Sequence, residues 1–167
     1  MTSKQRDTRI LLHNIRSVYN VGAIFRTADA VGVTKIYLIG YTPTPVDRFN
    51  QPRQDFAKCS LGSEKTVAWE YAKTPSALIK SLKKDGFTVV AVEQNDKSVD
   101  YKKIKPGQDK SGANNKTLVI FGTEVTGISK TILDKADIIA EIPMRGLKES
   151  LNVSVSAGIV LFRWFDR

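Results

Sequence analysis

A chain of 167 residues can bury one ordinary core; with 41% hydrophobic and 26% charged residues, no membrane-length apolar run and no secretory leader, it reads as one cytoplasmic domain. One cysteine, Cys59, and one histidine, His13, exclude an internal disulfide framework and leave too few soft ligands for zinc, so no metal is expected. The net charge of +9 suits either a polyanionic partner, whose phosphates Lys and Arg neutralise, or a basic protein that is merely well solvated.

Short apolar runs alternate with helix-period segments, the pattern of an α/β domain whose mostly parallel sheet is flanked by helices. In chain order the patterning predicts a strand over Thr8–His13, a helix over Val21–Val31, and strands over Lys35–Ile39 and Thr66–Trp69. A helix over Pro75–Asp85 follows, with Thr74 as cap and Gly86 after its last turn. Strands over Thr88–Val92 and Thr117–Phe121, a short helix over Lys130–Lys135, a strand over Ile138–Ile142 and a helix over Asn152–Phe165 complete the chain. Gly40–Phe56 and Ser98–Asn115 are expected to be irregular, and no repeat is visible.

Three stretches carry chemistry. In the first, "HNIRSVYNVGAIFRTADAVGV", Val21, Ile24, Phe25, Ala28 and Val31 form an apolar helix face, beside which Gly22, Arg26 and Ala30 make a row four apart. Small residues on both sides of Arg26 let a backbone or a ligand come close to its guanidinium. On periodicity alone Arg26 is equally an edge residue or a partner of Asp29, and Asn20 is equally the helix N-cap. The second stretch, "VIFGTEVTGIS", imitates the spacing of a phosphate-binding loop, but Ile128 stands where a lysine is required and Glu124 repels phosphates. A structural turn, or a loop that tolerates a cationic ligand, remains. In the third, "IPMRGLKESLNVSVSAGIVLFRW", Ser150 and Asn152 flank a helix start and read singly as caps. Ser154, Ala157 and Gly158 give that helix a smooth side, and Val155, Ile159 and Phe162 give it an apolar stripe, which predicts burial on more than one side, as against a second subunit.

Together "NVGAIFRTADAVG", "VIFGTEVTGIS" and "IPMRGLKESLNVSVSAG", with "LGSEKTVAWE" between the first two, resemble the motifs of the SpoU/TrmH family of RNA ribose 2′-O-methyltransferases in the SPOUT superfamily. The likeness runs from about Thr8 to Trp164 and implies a SPOUT fold with a C-terminal deep trefoil knot, a homodimer, and S-adenosylmethionine as methyl donor. It further implies that Arg26, Asn20, Glu124, Ser150 and Asn152 surround the transfer site. Arg26 would orient the nucleotide and stabilise the developing alkoxide, with the proton taken by Arg26 or by an RNA phosphate. The donor would be held mainly by backbone of the Gly122, Ile142 and Leu151 regions, with Gly127, Met144 and Glu93 nearby.

Larger relatives carry an appended RNA-binding domain that is not expected here, so RNA contacts fall to Lys4, Arg6, Arg9, the Arg48–Arg53 loop and the Lys102–Lys110 segment. The expected substrate is transfer RNA or ribosomal RNA, between which the sequence does not choose. Two rival readings are a catalytically silent RNA-binding module on the same fold and a flavodoxin-like enzyme using a nucleotide cofactor.

Overall fold

The computed structural model describes residues 6–106, 115–123 and 125–165. Seven strands form one sheet: β1 (Asp7–His13), β2 (Lys35–Ile39), β3 (Ala68–Ala72), β4 (Thr88–Val92), β5 (Val99–Asp100), β6 (Lys116–Gly122) and β7 (Ile138–Glu141). Their order is β3-β2-β1-β6-β4-β7-β5 and every pairing is parallel. Helices α1 (Val18–Val31), α2 (Gln54–Ser60), α3 (Ser63–Thr66), α4 (Pro75–Lys84), α5 (Lys130–Leu133) and α6 (Val153–Phe165) cover the two faces.

The period-two alternation of strand side chains divides the core in two. Ile10, Leu12, Val119 and Phe121 join Ile24, Phe25, Phe56, Val160 and Leu161 under α1, α2 and α6. Leu11, Leu118 and Ile120 join Ile79, Leu82 and Ile132 under α4 and α5. Both faces of the central strands are therefore buried, which is why they read as unbroken apolar runs. Phe25 and Phe56 meet edge to face at 5.3 Å and lock α1 to α2. Gly22 makes that contact possible: a Cβ there would overlap the Cys59 side chain and lie 3.0 Å from the Ser60 nitrogen. The close approach foreseen beside Arg26 is thus made by a backbone.

Several expectations are corrected. Helix α1 begins three residues earlier than predicted, because Ser17 is its N-cap and its hydroxyl accepts from the Asn20 N–H at 3.3 Å. Asn20 is therefore in the first turn and does not cap the helix. The expected strand over Thr66–Trp69 starts only at Ala68, and the residues before it form α2 and α3, too short to show a helical period. Thr74 and Ser129 occupy N-cap positions without a capping bond from their side chains. Within Ser98–Asn115 the chain forms β5 and a 3-10 turn, Tyr101–Lys103, and buried Tyr101 accepts at its carbonyl a 2.9 Å bond from the Trp164 indole.

Candidate functional site

In an open parallel sheet, ligands bind beyond the carboxyl ends of the strands, where loops diverge and backbone groups are left unpaired. At that edge, across the ends of β6, β4 and β7, lies a cavity of about 350 Å³. All six residues expected around a donor, Glu93, Gly122, Gly127, Ile142, Met144 and Leu151, line it. Ser150 lines it too, whereas Asn20, Arg26 and Asn152 do not. Glu124 lies outside the described residues.

Local geometry explains the wall. After β6 the chain doubles back, with the Gly127 N–H donating to the Thr123 carbonyl at 2.9 Å. The Glu93 carboxylate closes this loop by accepting from the Ile128 N–H at 2.8 Å. Gly127 has φ +64°, and a Cβ on it would overlap the Glu93 carboxylate. At Gly122 a Cβ would come within 2.7 Å of the Gly127 carbonyl carbon and the Ile128 nitrogen. The two glycines therefore let the loop fold flat against the strand end, and the cavity is the space left beside it.

The cavity's charge is as informative as its shape. Among its described lining residues the only charged side chains are the carboxylates of Glu93 and Glu141, in a chain of net charge +9. Such a wall disfavours polyphosphates and suits a ligand carrying positive charge. Glu141 was not foreseen: it sits inside a strand-like run and becomes visible only when β7 ends there. His13, beside Gly122 in the strand register, has its pKa lowered by burial, and its Nδ1 is buried without a hydrogen-bond partner. It is held neutral and adds no positive charge to this edge. Among the described residues no group of three or more His, Cys, Asp or Glu is arranged to hold a metal ion.

Next to the cavity, Asn152 uses both ends of its amide. Its Oδ1 accepts from the Ser154 N–H at 2.9 Å and so caps α6, while its Nδ2 donates to Asn20 Oδ1 at 3.2 Å. Capping and a place in the site are thus compatible, and the first turns of α1 and α6 are joined where the wall ends. Arg26 lies six residues beyond Asn20, roughly 9 Å along the helix axis. It is exposed and, among the described residues, makes no hydrogen bond or ion pair; Asp29 instead accepts from the Thr66 hydroxyl at 2.6 Å. The chain itself brings the six residues expected around a donor together with Ser150, ties Asn20 to Asn152, and leaves Arg26 apart from them.

A three-layer parallel α/β domain with a small acidic cavity at the carboxyl edge of its sheet is the architecture of a nucleotide- or cofactor-binding protein. Residues 7–162 match the SpoU rRNA Methylase family, and the chain belongs to that family. It is 36% identical over 165 residues to the tRNA (guanosine(18)-2′-O)-methyltransferase of Thermus thermophilus, covering 95% of this chain and 74% of that one. An AdoMet-bound rRNA methyltransferase from Sinorhizobium meliloti superposes with a TM-score of 0.81 at 30% identity, over 95% of this chain and 56% of that one. A TrmH/SpoU tRNA-modifying enzyme from A. aeolicus gives 0.78 at 31% identity, over 95% and 74%. The chain thus spans between about half and three quarters of these relatives' lengths.

Proposed function

We propose that this protein methylates a ribose 2′-hydroxyl of transfer or ribosomal RNA, taking the methyl group from S-adenosylmethionine. The observation that carries the reading is the cavity itself, whose only charged side chains among the described residues are carboxylates, at the sheet edge of a basic chain. S-adenosylmethionine supplies a methyl group activated by a sulfonium. Glu93 and Glu141 give that cation a favourable field, and backbone groups of the Gly122, Ile142 and Leu151 regions hold its neutral polar parts. Gly127 keeps the wall clear, and Met144 supplies apolar surface.

Transfer requires the 2′-oxygen in line with the methyl group and loss of its proton as the new bond forms. We assign Arg26 to the nucleotide and not to the donor, which agrees with its place off the cavity wall. Its guanidinium orients the ribose and stabilises the developing alkoxide while the proton passes to an RNA phosphate; Arg26 takes the proton instead only if its side chain enters the step as the neutral guanidine. Asn20 and Asn152 fix the junction of α1 and α6, Ser150 contributes a hydroxyl at the cavity, and Glu124 completes the polar set.

The reading extends to the whole molecule. We take the chain as a single catalytic domain acting in the cytoplasm, with the C-terminal deep trefoil knot of its family, and as a homodimer. Val155 and Phe162 support the dimer: they lie seven residues apart on α6, remain 49% and 45% exposed among the described residues, and flank Ile159, which packs against the edge of the core. No helix among the described residues is long and apolar enough to cross a membrane.

Calorimetric titration with S-adenosylmethionine and its demethylated product, followed by incubation with tritiated donor and RNA lacking its modifications, tests the proposal. Micromolar donor binding is expected, with label at a nucleotide whose phosphodiester resists alkali, since a methylated 2′-oxygen cannot attack the adjacent phosphate. RNA binding without donor binding would establish the silent-module reading instead.

A further inference from the structure

Five arginines of this chain fall into two groups. Arg6 donates to the Phe165 carbonyl at 3.1 Å, Arg9 is paired with Asp7 at 2.8 Å, and Arg53 is paired with Asp55 at 2.5 Å. These are committed within the fold, although each was a candidate RNA contact on sequence grounds. Arg16 and Arg48 are exposed and, among the described residues, make no ion pair or hydrogen bond. Each instead lies over an aromatic ring, Arg16 5.6 Å from the centroid of Tyr41 and Arg48 4.7 Å from that of Phe49.

Both rings are held out into solvent by ordered backbone. Phe49 is 66% exposed and Tyr41 52%. Phe49 sits at the tip of a small hairpin closed by the Val46–Pro52 bridge, where Asp47 Oδ1 accepts from the N–H groups of Phe49 and Gln51 at 2.8 and 2.9 Å. The hairpin's own carboxylate is thus engaged by backbone and makes no ion pair with Arg48 among the described residues. The Tyr41 N–H donates to Asn14 Oδ1 at 3.3 Å, which ties the turn after β2 to the turn after β1 that carries Arg16. Two aromatic rings left in water beside two guanidinium groups without ion pairs forgo hydrophobic burial for no more than an exposed cation–π contact each.

Their position relates them to the cavity. In the strand register Ile39 stands opposite His13, and His13 opposite Gly122, so the turn carrying Tyr41 lies two strand spacings, about 10 Å, from the cavity edge. We infer that Arg16–Tyr41 and Arg48–Phe49 form a stacking platform for unpaired bases of the RNA flanking the target nucleotide, an inference that rests on the RNA reading above. Guanidinium planes and aromatic rings both accept stacked bases, and the free positive charge meets the phosphates between them. Bases already paired within a duplex present no face to such a platform.

The test compares an unstructured single-stranded RNA oligonucleotide with a blunt RNA duplex, each as a labelled probe for the wild-type protein and for Tyr41→Ala, Phe49→Ala, Phe49→Tyr and Arg48→Gln. Phe49→Ala and Tyr41→Ala should each weaken single-strand binding about 5- to 100-fold and leave duplex binding and donor affinity unchanged. Phe49→Tyr should restore binding. Arg48→Gln should lower the dependence on salt by about one counterion, whereas Phe49→Ala leaves that slope intact. Single-strand affinity unaltered in both alanine variants, or an equal loss on the duplex, overturns the platform while the RNA reading stands. A wild-type protein that binds neither probe also overturns the platform, while the RNA reading is decided separately by the labelling of RNA lacking its modifications.

Discussion

Arg26 and Asn152 illustrate how much a single side chain's surroundings decide. Asn152 is fixed at three points, its carbonyl accepting from Ser156 and its amide reaching Ser154 and Asn20, so its contribution to stability and to the site cannot be separated by deletion. Arg26 has no such ties among the described residues, and that makes it the cleaner probe. Arg26→Ala should alter stability by no more than about 0.5 kcal/mol, the ordinary range for an exposed helical site. Donor affinity, read by calorimetry, should be unchanged, while single-turnover methyl transfer falls on the order of a hundredfold to a thousandfold, the usual loss when a group that stabilises transition-state charge is removed. Arg26→Lys divides the effect: it keeps the charge and loses the planar fork, so a loss as deep as alanine's assigns the role to geometry. Wild-type turnover in Arg26→Ala would remove Arg26 from the transfer step.

At the scale of elements, the loop after β6 is the part whose packing most directly shapes the cavity. Gly127→Ala places a Cβ against the Glu93 carboxylate and forces a non-glycine residue into the left-handed region, a cost of roughly 1–2 kcal/mol for the backbone alone. Donor affinity should fall along with stability, because moving Glu93 releases the Ile128 N–H that anchors the wall. Pairing Gly127→Ala with Glu93→Ala relieves the overlap but not the backbone strain, so the losses should be less than additive in a double-mutant cycle followed by urea denaturation; strict additivity would show that the two residues do not meet. The glycines and the strand end were legible in the sequence, since a continuous apolar run ending in a glycine-bearing loop has few readings. Other parts were not. Helix α2 buries Phe56 and Ser60 alone, too little to show a period, and β3 is an edge strand whose mixed exposure blurs its start. Sheet order is a tertiary fact, so nothing in the residues said that β6, β4 and β7 would be neighbours or that Glu141 would join Glu93 at their ends.

For the molecule as a whole the governing question is what covers α6. Its inner side, through Val153, Ala157, Val160, Leu161 and Trp164, is buried in the core shared with α1, while Val155 and Phe162 stay about half exposed and Ile159 packs against the edge of that core. Burial on that second side, expected from the sequence, is therefore incomplete among the described residues, and a second copy is the partner proposed for it. Lasting homodimers bury roughly 2,000 Å² or more in total, so the stripe must be the centre of a larger surface and not its whole extent. Replacing Val155 and Phe162 by Glu places two desolvated charges at that centre and costs the free chain little, because both positions are already about half exposed. Light scattering should give the wild-type protein twice the 18.5 kDa chain mass and the double variant that mass alone. Circular dichroism should be unchanged between them, which separates lost assembly from lost folding. Methyl transfer should disappear with the dimer if the second copy completes the path between Arg26 and the cavity. A wild-type protein that scatters as a single 18.5 kDa chain and still turns over would show that one copy suffices, and would leave the α6 stripe without the role given to it.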